Sequence, residues 1–157
     1  MRKKFLFLAA LLFLARAVFA ANIPDVEDPK DGPAVWLMPV YNNSGGTLDV
    51  GDVVVWDTDA STGDNDNYVN TTTTADTYIV AGVIYPADIT AGNSGTIAIR
   101  GVVQVDVVSA EQLGVVNGPA CTSGTAGAAR SCTTNAAMFG HVTQVNSGTS
   151  ALVYVEN

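Results

Sequence analysis

"GNSGTIAIRGVVQVDVV", residues 92–108, is the stretch on which the fold turns. Val103, Val105 and Val107 alternate with Gln104 and Asp106. A period of two puts one face of a strand on a core and the other toward water. The stretch opens on Asn93-Ser94-Gly95-Thr96, and the same tetrapeptide returns in "VNSGTSALVYV", residues 145–155, again ahead of a run rich in β-branched residues. Asn and Gly tolerate positive φ, and Asn and Ser side chains bond back to nearby amides, so each copy suits a turn between antiparallel strands.

Working outward, Gly51 aligns with Gly114, Gly82 with Gly140 and Asn93 with Asn146, at separations that shorten steadily along the chain. Two readings follow. Either one unit is written twice, making two pseudo-repeated halves, or common turn formers recur because the chain is rich in them. Between the anchors, strand-like segments alternate with turn chemistry. They are residues 34–40 (with Pro39 marking an edge or a bulge), 53–57, 68–72, 77–85, 96–108, 113–116, 138–145 and 151–155. Residues 109–113, "SAEQL", offer one helical turn, and no other segment sustains a 3.6-residue period. The expectation is an all-β protein, a single β-sandwich or barrel over residues 34–157.

The ends of the chain read differently. Arg2, Lys3 and Lys4 precede an apolar run from Phe5 to Ala15, and Val18-Phe19-Ala20 makes a small-residue exit. Residues 1–20 therefore read as a secretory signal peptide, too short and too early interrupted by Arg16 for a comfortable membrane span. Its removal leaves Lys30, Arg100 and Arg130 against fifteen acids, a formal net charge of −12. Such a surface repels phosphate backbones, so no nucleic acid is expected as partner, and no membrane once the leader is gone. Residues 21–33, "ANIPDVEDPKDGP", carry three prolines and read as an extended N-terminal arm. Export also makes a disulfide the default for the two cysteines, Cys121 and Cys132. It would pin "TSGTAGAARS", a stretch of small residues read as a surface excursion, with a gain of roughly 2 to 3 kcal/mol.

Chemistry is sparsely encoded. His141 is the sole histidine, and it follows the protease-like "NSGG" at 43–46 by almost a hundred residues, with nothing else to support a nucleophilic triad. The acids sit mostly in turns beside Gly or Asn, where Asp has a conformational use. The acidic loop is the strongest ligand candidate: Asp57, Asp59, Ser61, Asp64 and Asp66 supply hard oxygen donors for a weak extracellular Ca²⁺ site. The glycine falls one place late for an EF-hand, and Tyr68 stands where a bidentate Glu is required. No other cofactor is indicated. Trp36, Tyr41, Trp56, Tyr68, Tyr78, Tyr85 and Tyr154 could form a sugar-stacking platform or serve as core and interface residues.

"NNSGGTLDVGDVVVWD", "AGVIYPADITAGNSGTIAIRGVVQVDV" and "MFGHVTQVNSGTSALVYVE" together resemble the small capsid decoration (cement) proteins of tailed phages, over residues 40–157. The resemblance implies a compact barrel or tulip-like domain that oligomerises and stabilises a larger shell without catalysis. The leader and the cysteine pair depart from that pattern, since phage capsids assemble in a reducing cytoplasm. The combined expectation is a secreted, non-enzymatic structural subunit, extracellular or at the cell surface. It polymerises with itself into a fibre, sheath, surface layer or virion-type coat, through contacts at Trp36, Met38 and Tyr41 near the arm. The alternative is a secreted carbohydrate- or Ca²⁺-binding β-module.

Overall fold

Nine strands form among the described residues, in chain order: β1 (Trp36–Asn42), β2 (Val53–Trp56), β3 (Tyr68–Asn70), β4 (Val80–Ile84), β5 (Ser94–Asp106), β6 (Pro119–Thr122), β7 (Ala129–Ser131), β8 (Gly140–Ser147) and β9 (Ser150–Glu156). The computed structural model describes residues 34–58, 67–108, 113, 116–133 and 137–157, and no α-helix occurs among them. The expected leader at 1–20, the expected arm at 21–33 and the first four residues of the expected helical turn at 109–113 lie outside that set.

β5 organises the molecule. Its first half pairs antiparallel with β1 on one side and β4 on the other, and its second half pairs with β9 from Arg100 to Asp106. The order β1-β3-β2-β4-β5, with β1 also bonded to β5, closes a five-stranded barrel. From β5 the sheet continues as β9-β8-β6-β7 and ends open. The break between the two halves is local. Opposite Trp36/Leu37 the register slips by one residue, from Arg100 to Ala98, so Ile99 is extra and the faces exchange. Gly101 follows at φ 113°, with the space a Cβ would fill 2.8 Å from the Ala34 carbonyl oxygen. Only glycine fits a backbone that is both left-handed and pressed by its neighbour.

The slip divides the core in two. Val40, Leu48, Val54, Val69, Ile84 and Ile97 meet in one buried cluster inside the barrel. A second cluster lies between the barrel wall, at Val53, Val83 and Ala98, and the open sheet, at Val103, Phe139 and Val153. Each fully buried branched side chain stabilises by about 1.5 to 3 kcal/mol relative to exposure. Alternation along residues 103–107 is as the pattern predicts: the three valines are buried, Gln104 is exposed and Asp106 half-buried.

Pro39 does mark an edge, inside a closed barrel. β1 bonds β5 along its length but reaches β3 only at Tyr41 and Asn42, so the segment holding Pro39 is open on one side, where its missing N–H costs nothing.

The small-residue stretch differs from expectation. Ala120, Cys121, Thr122, Ser123, Ala128 and Ala129 are buried, in or beside the strands β6 and β7, while residues 124–126 and Ser131 stand out in solvent. Small side chains allow close approach: Val53 N donates to Gly127 O at 2.7 Å, and Val107 bridges Ala129. The sulfurs of Cys121 and Cys132 lie 2.06 Å apart within the one chain.

The two halves share a strand pair rather than a fold. Gly82 in β4 and Gly140 in β8 each sit where a Cβ would strike a carbonyl oxygen of the next strand, Ala98 and Tyr154 respectively. Yet the first Asn-Ser-Gly-Thr enters β5 after its turn, whereas the second spans the β8–β9 turn itself. Gly114 lies outside the described residues.

Candidate functional site

The acidic loop is anchored at its first carboxylate. Asn43 Nδ2 donates to Asp57 Oδ2 at 2.5 Å. Asn43 belongs to a turn built on buried Asn42, whose Nδ2 donates to Gly46 O and Ile89 O at 2.9 and 2.6 Å. Its Oδ1 accepts from Ser44 N and Oγ at 2.8 and 2.6 Å. A buried amide with both ends satisfied specifies one turn geometry. Asp59, Ser61, Asp64 and Asp66 lie outside the described residues. Among the described residues, no group of three or more His, Cys, Asp or Glu is arranged to hold a metal ion.

The three expected contact residues have different surroundings. Trp36 is 58 % exposed and Leu37 beside it 46 %. Met38 packs against the barrel core, and Tyr41 leans on Tyr68 with ring centroids 4.8 Å apart. Of the remaining aromatics, Trp56 covers the barrel core and Tyr85 the second core, so the seven do not form one platform. Trp36 has instead a partner that the sequence reading passed over. The Arg100 guanidinium lies 5.3 Å from the Trp36 ring centroid, and its Nε donates to Tyr154 Oη at 3.1 Å. That hydrogen bond pushes the guanidinium further up from its ordinary value. The signal was present: Arg100 is one of three Lys and Arg residues after residue 20, and Trp36 stands in the other strand-like segment that an edge cation can reach.

A cleft of about 520 Å³ opens beside Asp52 and Asp106, with Gln104, Thr125, Thr149 and Ser150 on its walls. β5 positions one carboxylate and the Gly51 turn the other, and the two segments are joined where Asp106 N donates to Gly51 O at 3.0 Å. Burial pushes the Asp52 carboxyl up from its ordinary value. The N–H of Asp49, donating to Oδ2 at 2.9 Å, partly offsets that, and the charges of Asp106, Asp49 and Asp88 push it up further. Burial and then Asp49 push Asp106 up in the same way. No sequence motif marks this pair, because the residues are 54 positions apart and meet only after β5 folds across the barrel wall.

A third polar group ties the open sheet to the barrel. Arg130 Nη2 of β7 donates to Asp76 Oδ2 at 2.6 Å, and Thr133 donates its hydroxyl to the same oxygen. Burial alone would push the Asp76 carboxyl up, but the Thr133 hydroxyl and the Arg130 charge bring it below its ordinary value. Thr122 Oγ1 of β6 accepts from Thr77 N at 2.9 Å and donates to Thr74 O at 3.1 Å.

Comparison with known proteins gives a fold. No protein-family model and no curated protein sequence matches the chain. Among solved structures, the chain is similar to the N base of the head fiber of bacteriophage phi29, at 12 % identity and a TM-score of 0.50, over 77 % of this chain and 95 % of that one. The described residues thus share the overall fold of that protein.

Proposed function

We propose that this protein is an exported, non-enzymatic structural subunit that self-associates in a virion-type coat or an extracellular fibre, sheath or surface layer. The observation that carries the reading is the fold shared with the phage head fiber base across nearly all of that chain. The cysteine pair at bonding distance fits assembly in an oxidising compartment, in line with the leader expected at 1–20. Exposed Trp36, Leu37 and Tyr78 fit a surface that another molecule covers, since aromatic residues concentrate at interface cores.

The test is to express the full chain with its leader, purify the exported product, and follow its mass by size-exclusion chromatography with light scattering, with and without chelator. Electron microscopy of the same material completes it. Ordered oligomers that ignore chelation are expected. A monomer at high concentration that gains Ca²⁺-dependent affinity for polysaccharide would establish the binding-module alternative, and a monomer that turns over a small molecule would overturn the non-enzymatic reading.

A further inference from the structure

The outer face of the open sheet carries opposite charges at its two ends. Val103 and Val105 point into the second core, so Val102, Gln104 and Asp106 point outward, and Tyr154, opposite Val102, shares that face. Arg100 joins them through its bond to Tyr154. At one end stand Arg100 and exposed Trp36. At the other, six residues along the same strand and so about 20 Å away, stand Asp106 and Asp52 around the cleft. Half-buried Val102 and Leu152 lie between them.

Arg100 makes no ion pair within 4 Å among the described residues, and Glu156, opposite it in the ladder, is a carboxylate that attracts it without contact. The charged groups acting on Asp52 are the neighbouring carboxylates Asp106, Asp49 and Asp88. An Arg side chain cannot span 20 Å, so the two ends of one molecule do not neutralise each other. A second copy turned by 180° brings each end onto the other's opposite.

Resting on the structural-subunit reading, we infer that this face is a self-complementary interface, in which the Arg100 and Trp36 end of one copy seats at the Asp52 and Asp106 cleft of a second copy, and reciprocally. This is the isologous contact of a two-fold dimer: residue 100 meets residue 106, and residue 106 meets residue 100. Desolvated Trp and Arg anchors carry most of the energy of such contacts, and the charges set register and orientation.

Charge reversal tests it on the full exported chain. Arg100→Asp and Asp106→Arg are each expected to be monomeric where the native chain is dimeric or larger, with at least a tenfold loss of affinity. Mixed together, the two variants are expected to form a 1:1 heterodimer, because every contact then pairs opposite signs. The double variant R100D/D106R is expected to recover the homodimer, an outcome that a folding defect would not produce. Native oligomers left intact by either single reversal, or single variants that stay apart when mixed, overturn this interface while leaving the structural-subunit reading standing. A native chain that remains monomeric at high concentration overturns both.

Discussion

The barrel and the open sheet share a strand but are stabilised differently. The barrel closes on itself, so only short stretches of edge remain, and its interior is filled by branched aliphatic residues such as Val54, Val69, Ile84 and Ile97. The sheet beyond β5 is open, and its far strands β6 and β7 bury only alanine, cysteine and threonine. Small residues remove little apolar area from water. That end therefore relies on Phe139, on the Cys121–Cys132 link, and on the Arg130–Asp76 pair reaching back to the segment before β4. Where a core cannot supply enough burial, covalent and ionic ties compensate.

The largest test asks whether these are one cooperative unit. Phe139→Ala in the second core is expected to cost about 3 to 5 kcal/mol and Ile97→Ala in the barrel about 2 to 5. Because barrel-wall residues Val53, Val83 and Ala98 line the second core, both changes should shift one common transition. Denaturant unfolding followed by tryptophan fluorescence, which reports Trp36 and Trp56, and by circular dichroism checks this. Two separated transitions would make barrel and sheet independent.

Next comes the link. Replacing Cys121 and Cys132 by serine is expected to cost about 2 to 3 kcal/mol. Native-state hydrogen exchange should speed up in β6 and β7 first, with β2 and β4 unaffected, and uniform acceleration would erase the contrast drawn above.

The ion pair sharpens it further. Asp76→Asn keeps a residue tolerant of the φ of 55° but leaves Arg130 without its carboxylate, at an expected cost of about 2 kcal/mol. Both side chains keep some solvent contact, which places the cost below that of a fully buried pair. The Asp76 carboxyl is held below its ordinary value, so its contribution is present above about pH 4 and is lost as pH falls through the lowered value. Urea midpoints across pH 2–7 should show native and variant converging in acid.

The smallest effect has the opposite sign. The Asp52 carboxyl is pushed up, so its contribution to stability is complete below the ordinary carboxylate value and is lost as pH rises through the raised one. Asp52→Asn can still accept the Asp49 N–H, and at neutral pH it should raise the melting temperature by about 1 to 2 °C. The gain should vanish near pH 4. A melting temperature lowered at neutral pH would mean that the carboxylate is matched by a counter-charge.

Much of the fold was legible in particular residues. The alternation of Val103, Val105 and Val107 predicts a half-buried strand, and Pro39 predicts an edge or a bulge, of which the edge is found at that residue. The stretch 122–131 reads as a surface excursion because its residues carry weak propensities, whereas the burial of much of it comes from partners at Val53 and Val107 far away in sequence. The candidate site was less legible. Asp57 is singled out by sequence only as a Ca²⁺ donor and in the structure accepts from Asn43, whereas Asp52, Asp106 and Arg100 look like ordinary turn and strand residues until the chain brings their neighbours together.

The amino-acid sequence by itself determined the all-β class, most of the strands and turns, and a strongly acidic composition after residue 20, because periodicity, turn chemistry and charge are local properties. Tertiary structure alone decided that β5 changes faces at Ile99 and Gly101, that five strands close while four remain open, and that a cation and two carboxylates occupy opposite ends of one face. The physical reason is that alternation tells which side chains share a face, but not which faces meet. That choice rests on register slips, close backbone approaches and long-range pairings whose energies are settled only when distant segments pack.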